Sequence, residues 1–308
     1  MSAREELVSQ VLSTAQMLGL TGITPMILSD GGNLIIHLAP HEIVARLAIV
    51  TSEDDAERTY HMLDRELQVA RHLHANDVPV VLPFRVAGPH KVGDKWATFW
   101  RYVPPAQLES LEPRHAYELV NKLSLAMKSF PGVIPLLGVW NRVQQAAIRL
   151  KKNPDSRIQT LLEIFWRVNE QIRLIQPEAL IPAHGDAHAR NLLRGPEGWL
   201  WMDFEDVSIM PIYWDMASFI GNLVLFGGIQ DPTYQYIWNH IDKCEDQKAF
   251  QLALTARILM STLSNLDLAH TGHGDLGFAT RQLELAKHIL HQIDMSMLNC
   301  GGADGRGL

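Results

Sequence analysis

One stretch constrains this chain more than any other: residues 181–206, IPAHGDAHARNLLRGPEGWLWMDFED. Two apolar runs, Leu180 to Ala183 and Trp199 to Phe204, flank a polar loop that contains the turn Gly195-Pro196-Glu197-Gly198. Runs of that length around a Gly/Pro turn predict two short strands joined by a hairpin-like connection. The stretch carries His184, Asp186, His188, Asn191, Asp203 and Glu205, side chains that donate, accept or ligate, among apolar neighbours that fix their backbone. An ordinary surface loop does not repeat carboxylate and amide on both sides of buried strands. The stretch is read as a site.

Spacing narrows its chemistry. Asp186 and Asn191 stand five apart, and Asp203 follows twelve residues later. An uncoordinated carboxylate at a loop tip accepts a proton or orients a hydroxyl. An Asn oxygen and a second carboxylate suit Mg²⁺, which takes a few hard oxygen ligands plus phosphate oxygens and water. These are the parts phosphoryl transfer needs, since positioning and charge neutralisation supply most of its catalysis. A rival reading takes His184-x-Asp186-x-His188 as the ligand string of a Zn²⁺ metallohydrolase, but it leaves Asn191 and Asp203 without roles. Taken singly, His184 reads as a structural residue bonding the loop backbone, and His188 as exposed.

His184-Gly185-Asp186 through Asn191 resembles the catalytic loop of the kinase-like phosphotransferases, in the form typical of the aminoglycoside phosphotransferase and choline kinase group, with Gly where protein kinases have Arg. Asp203-Phe204-Glu205 resembles the metal-binding Asp segment, with an acid where protein kinases have Gly. Trp214-Asp215-Met216-Ala217 resembles the Asp-Leu-Ala stretch that opens the next helix of that family. The resemblance implies an α+β, two-lobed protein-kinase-like fold with a small antiparallel β-sheet N-terminal lobe and a mainly helical C-terminal lobe. It further implies that ATP (or GTP) with Mg²⁺ donates a γ-phosphoryl group to a hydroxyl of a small molecule. Asp186 then orients and deprotonates the hydroxyl, Asn191 and Asp203 hold the metal, and Glu205 and His188 support metal or substrate.

The rest of the chain is compatible with this. A length of 308 residues favours two lobes over one. A formal charge of −7, with no run of five Lys/Arg, argues against a nucleic-acid partner. Cys244 and Cys300 are too few and too isolated for a disulfide framework or a zinc cluster. The amino-terminal MSAREELVSQVLSTAQ lacks the apolar core of a signal peptide. No stretch approaches 18 uninterrupted apolar residues, so no membrane span or membrane partner is expected, and the expected location is cytoplasmic.

In chain order, periodicity predicts a helix over 4–19 and a hairpin of 24–28 with 34–38 around Asp30-Gly31-Gly32-Asn33, followed by a strand over 43–50. The resemblance places Gly31 and Gly32 over the nucleotide phosphates. Arg46 is the lone charge in Ile43 to Val50 and therefore needs a partner. In the family this strand usually carries a Lys that touches the α and β phosphates; Arg keeps the charge and presents a planar fork. Glu66, on a helix over 53–75, is its candidate partner, with Asp64 the alternative.

Strands are predicted over 78–86 and 96–103, where an interlobe hinge would let Arg101, Tyr102 and Val103 offer backbone groups to an adenine edge. Residues 1–103 are thus expected to form the nucleotide-binding lobe, and 104–308 the lobe with the catalytic loop and acceptor site. Helices are predicted over 112–129, 137–151, 156–176, 213–226, 231–243, 246–265 and 276–296, before a mobile tail GGADGRGL. Residues 205–275 hold nine acids against Lys243, Lys248 and Arg257. The resemblance makes this region a wall of the acceptor cleft, which implies a cationic or amine-bearing acceptor; a plain solvated acidic surface gives the same count. A catalytically degenerate nucleotide-binding protein is the second reading, because the usual Lys is missing and the phosphate loop is sparse.

Overall fold

Along Asn33–Ala39, Leu34, Ile36 and Leu38 are fully buried while the residues between them are half-buried, the period of two that a strand with one inward face must show. This strand, β2, pairs antiparallel with β1 (Thr24–Asp30) and β3 (Ile43–Ala48). The computed structural model describes residues 3–49, 56–107, 109–241 and 244–300. Among these residues, β4 (His90–Val92) and β5 (Lys95–Arg101) complete a five-stranded sheet in the order β1-β2-β3-β5-β4. β3 is covered on both faces and occupies the middle. Helix α1 (Ala3–Met17) adds Val11 and Ala15 to a core with Leu34, Ile36, Leu38, Leu47 and Phe99. Each of the Val, Leu, Ile and Phe side chains contributes roughly 1.5–3 kcal/mol when fully buried.

Helix α2 (Ala56–Ala75) buries Leu63, Leu67, Ala70 and Leu73 in one stripe, with Glu66 among them. Its expected start at residue 53, and the end of the β3 strand at Val50, lie outside the described residues. Val78 to Val86 is not a strand. Pro79 and Pro83 have no N–H to give a ladder, and the segment makes only isolated bridges, Val80 to Trp201 and Pro83 to Trp100.

The hairpin is real but differently paired from the expected one. β7 (Leu192–Gly195) pairs with β8 (Gly198–Trp201) across the Gly-Pro-Glu-Gly turn. β6 (Leu180–Ala183) instead pairs antiparallel with β9 (Ser208–Pro211), a strand the sequence reading did not contain. The chain divides into two compact units: Met1–Glu109 with Arg190–Glu205, and Ser110–Ala189 with Asp206–Leu308. The β7–β8 hairpin belongs to the first, where Trp201 N donates to Pro79 O (2.9 Å) and Val81 N to Trp201 O (2.9 Å).

The second unit is built on helices α3 (Pro113–Lys128), α4 (Gly138–Leu150), α5 (Ser156–Arg173), α6 (Trp214–Gly227), α7 (Pro232–Asn239), α8 (Cys244–His270) and α9 (Leu276–Cys300). Their starts follow local rules. Asp155 accepts from Arg157 N at the head of α5, and Asp231 accepts from Thr233 N and Tyr234 N at the head of α7. α6 is buried nearly all round and packs against α3, α7, α8 and α9. α7 stops at Asn239, with His240 as its C-cap, short of the expected end at 243; residues 242–243 and the tail 301–308 lie outside the described residues. No helix among the described residues is long and apolar enough to cross a membrane.

Candidate functional site

In the first unit the site grows from Arg46. The β3 register sets Arg46 between Ile35 of β2 and Thr98 of β5, and Arg46 is only 7% exposed. A buried guanidinium needs several acceptors. Its Nη1 bonds both oxygens of Glu66, at 2.5 Å to Oε1. Its Nη2 reaches Glu205 Oε2 at 2.5 Å and Asp203 Oδ1 at 3.3 Å. With its amide oxygen turned to this group, Asn33 accepts from Nε at 3.3 Å and Nη2 at 2.9 Å. Glu66, not Asp64, is therefore the ion partner; Asp64 accepts from Gln68 at 2.6 Å.

One cation faces three carboxylates here, and the protonation states follow. Burial opposes the charge on Arg46, but Glu66, Asp203 and Glu205 outweigh it and hold the guanidinium above its ordinary range. Burial pushes Glu66 up to about 7; Arg46 opposes this, while Asp203 and Glu205 reinforce it. Phe204 N also donates to Glu66 Oε1 at 3.2 Å, tying α2 to the Asp203-Phe204-Glu205 segment.

Asn191 and Asp203 flank the open end of the β7–β8 hairpin. Asn191 closes the short 3₁₀ turn Ala189–Asn191 and is buried. Its main-chain oxygen accepts from Met202 N at 3.0 Å, one residue from Asp203. Asp203 adopts φ 66°, a left-handed backbone uncommon outside glycine, and its side chain is 40% exposed. An amide oxygen and a part-exposed carboxylate are hard donors of the kind a divalent cation takes together with phosphate oxygens, so these two residues fit such an ion.

The other candidates in this unit give less. Gly31 and Gly32 form the β1–β2 turn, with open space where side chains would stand. Arg101 N donates to Leu82 O (2.8 Å) and Tyr102 N to Glu42 O (2.9 Å), so those two donors are spent within the protein. Val103 packs on Gly195, where a side chain would meet its Cγ1 at 2.9 Å.

In the second unit the loop after β6 carries Asp186. It is not the uncoordinated carboxylate expected from sequence. Arg257 Nη2, from α8, donates to Asp186 Oδ1, and His188 Nε2 lies 3.3 Å from Oδ2. Burial would raise the pKa of Asp186, but Arg257, then His188 and His184, outweigh it and hold the carboxyl well below its ordinary range. His188 is thus a partner of Asp186 with 16% of its side chain exposed, not a freely exposed residue. His184 is fully buried, and its Nδ1 accepts from Asp186 N at 3.4 Å. Among the described residues no three His, Cys, Asp or Glu side chains gather as a metal-binding group, so His184, Asp186 and His188 do not assemble as a zinc ligand set.

Asp215, in the first turn of α6, accepts from His184 N (2.9 Å) and Gly185 N (3.1 Å), and Trp214 Nε1 donates to Gly185 O (2.8 Å). The loop backbone is fixed by the head of α6. Sequence reasoning found Asp215 as part of a motif but gave it no task, and it took Asn33 only as a turn residue and Arg257 only as one base in a charge count. Arg257 carries a signal like that of Arg46: it is the lone charge in the mainly apolar stretch Leu252 to Leu263.

The sequence model of the phosphotransferase enzyme family matches residues 42–240, about two thirds of the chain. The chain belongs to that phosphotransferase family. The match spans Arg46, Glu66, Asp186, Asn191, Asp203, Glu205 and Asp215, and stops short of Arg257. Membership makes the chain a small-molecule phosphotransferase of kinase-like α+β fold.

Solved structures similar to this phosphotransferase include a choline/ethanolamine kinase family protein from Mesorhizobium loti (15% identity, 96% of this chain and 94% of that one, TM-score 0.62). Amicoumacin kinase hAmiN in complex with AMP-PNP, Ca²⁺ and Ami is another (13% identity, 94% and 96%, TM-score 0.67). A third is the GDP complex of aminoglycoside 2'-phosphotransferase-IIIa (16% identity, 92% and 99%, TM-score 0.61). At such identities the likeness is one of fold. No curated protein shows significant sequence similarity to the chain.

Proposed function

We propose that this phosphotransferase moves the γ-phosphoryl group of ATP or GTP to a hydroxyl of a small-molecule alcohol. The observation that carries the reading is the Arg46 cluster: a buried cation on β3, paired with Glu66 of α2 and touching Asp203. A cation so held is a contact for the α and β phosphates of a nucleotide. The nucleotide and Ca²⁺ in the amicoumacin kinase structure, and the GDP in the aminoglycoside 2'-phosphotransferase structure, support a nucleotide with a divalent ion here. Asn191 and Asp203 would hold Mg²⁺, which when bound neutralises phosphate charge.

Asp186 takes the acceptor end. As the hydroxyl oxygen bonds to the γ-phosphorus, its O–H proton passes to the Asp186 carboxylate and the β–γ bridging bond breaks, releasing the nucleoside diphosphate. A carboxylate held far below its ordinary pKa is a weak proton acceptor, so Asp186 acts chiefly by orienting the hydroxyl. Phosphoryl transfer through a loose transition state asks for little more.

The charge of the acceptor is less constrained than the acid count suggested. Asp215 is spent on two backbone N–H groups, Asp231 caps α7, Asp206 pairs with Arg142 and Asp267 with Arg149. The side chains of Asp242, Lys243 and Glu245 lie outside the described residues. The amine-bearing alcohol remains the first acceptor to try. Turnover of Mg·ATP and Mg·GTP against amino alcohols, aminoglycosides and neutral sugars tests both the reaction and the acceptor class. Nucleotide-induced thermal stabilisation without turnover of any alcohol would replace this reading with that of a non-catalytic nucleotide-binding protein.

A further inference from the structure

Arg257 has no part in the function proposed above, yet the fold makes unusual provision for it. Its side chain is 6% exposed, and its stem lies along α6 where Gly221 leaves room; a Cβ on Gly221 would stand 3.2 Å from Arg257 Cγ. Its Nη2 donates to Asp186 Oδ1, while its Nε is buried with no hydrogen-bond partner among the described residues. Burying a guanidinium with a donor unmet is costly, and a well-packed apolar residue in the same place is commonly as stable or more so. Stability alone is therefore a poor reason for this pair.

The groups around Arg257 define what it does. Asp186 faces it from the loop after β6, with His188 against Asp186 and His184 in the same loop, and Asp215 faces it from α6. Asp186 Oδ1 is fixed by Arg257, and Oδ2 is the oxygen turned to His188 at 3.3 Å. A carboxylate held by Arg257 through Oδ1, with His188 against Oδ2, is set in direction, which is what orienting an acceptor hydroxyl requires; the second lone pair of Oδ2 is the one that points to it.

We infer that Arg257 is a positioning residue for the phosphotransfer carboxylate: it clamps Asp186 through Oδ1 so that Oδ2 meets the acceptor hydroxyl. The inference rests on the reading of Asp186 as the hydroxyl-orienting group. It assigns a task to a residue outside the region the family match covers. It also bears on the ionisation of Asp186, since Arg257 is the largest of the influences that oppose burial there, ahead of His188 and His184.

The test uses the full chain with Arg257→Met, Arg257→Lys, Asp186→Asn and the double variant Arg257→Met/Asp186→Asn. Carbon-13 labelling of the Asp carboxyls, with Asp186→Asn identifying the Asp186 signal, follows its titration without any acceptor. The signal is expected to titrate at higher pH in Arg257→Met and to return toward wild type in Arg257→Lys. With an amino alcohol or aminoglycoside that is turned over, Arg257→Met is expected to lose on the order of 10²-fold in kcat. KM for Mg·ATP should stay unchanged, and the acid limb of kcat should move to higher pH. In the Asp186→Asn background the same substitution should cost almost nothing further, since the two residues act as one unit.

An Asp186 titration unmoved in Arg257→Met, or a full additional loss in the double variant, overturns the inference. Should Arg257→Met fail to fold, the lysine variant decides: a wild-type titration with a large fall in kcat would contradict a charge-borne clamp. Wild-type turnover in Asp186→Asn would instead remove the underlying reading, an outcome distinct from either.

Discussion

Asp215 Oδ1 accepts the main-chain N–H of Gly185 at 3.1 Å, so the first turn of α6 holds the residue immediately before Asp186. Its other oxygen takes His184 N at 2.9 Å, and no water is needed to satisfy either donor. The motif that opens α6 is thus a clamp on the loop before it rather than a chemical group. Asp215→Ala leaves two buried donors without this acceptor, each costing about 1–3 kcal/mol. Asp215→Asn keeps one acceptor oxygen and should lose less. Chemical denaturation measures both, and an alanine variant as stable as wild type would remove the clamp from the account.

The same residue predicts a pH dependence. Burial raises the Asp215 carboxyl above its ordinary value, with His184 and its N–H, the Gly185 N–H and Arg257 opposing. An acid whose pKa is higher folded than unfolded favours the folded state most at low pH. That contribution is lost as pH rises from the unfolded value, about 4, through the folded one. Over this window wild type should lose stability relative to Asp215→Asn. Parallel stability profiles for the two would show that Asp215 does not titrate as described.

Gly185 permits no side chain. Its φ is +87°, and a Cβ would fall 2.1 Å from Asp206 O and 2.8 Å from the Asp206 carbonyl carbon, both main-chain atoms that cannot rotate away. Gly185→Ala is expected to destabilise by more than about 1 kcal/mol and to displace Asp186, so turnover falls while nucleotide affinity holds. A crystal structure of an alanine variant with the loop unmoved would refute this.

How much of this was legible in the sequence depends on which residues a signal can reach. Local rules placed the strands and helices well, because period-two burial in β2 and the helical stripe of α2 are written in neighbouring residues. The pairing of β6 with β9 was not legible: Leu180 and Pro211 are 31 positions apart, and the Gly-Pro-Glu-Gly turn between them offered a nearer, wrong partner for β6. The strand expected over Val78 to Val86 failed because apolar content outweighed Pro79 and Pro83. At the site, a lone charge in an apolar strand revealed Arg46. A similar signal at Arg257 passed unnoticed, because a partner 71 residues away on a loop leaves no periodic trace.

Arg46 should be separable into charge and geometry. Arg46→Ala leaves Glu66 buried without its cation, which typically costs about 3–5 kcal/mol, so folding must be checked first. Where the variant folds, nucleotide affinity and turnover both fall. Arg46→Lys restores a point charge without the fork that spans Glu66 and Glu205, and should retain a measurable part of both. Calorimetric nucleotide affinity unchanged in the alanine variant would make Arg46 a structural residue only.

The two central carboxylates should differ in kind. Asp186, clamped by Arg257 and remote in sequence from the Arg46 cluster, is expected to act on the acceptor alone. Asp186→Asn should leave Mg²⁺-dependent nucleotide binding intact and cost about 10²–10⁴ in single-turnover rate, the usual effect of losing a positioned acid–base group. Asp203 shares Arg46 with Glu66 and Glu205 and has a part-exposed carboxylate. Asp203→Asn should therefore lose turnover and also weaken Mg²⁺-dependent nucleotide affinity, with little change in affinity measured without the metal. Measuring Mg·ATP affinity, metal-free ATP affinity and single-turnover rate on both variants separates the roles. Should Asp186→Asn be the variant that loses metal dependence while Asp203→Asn keeps it, the assignment of base and metal ligand is reversed, and with it the direction in which the acceptor hydroxyl meets the nucleotide.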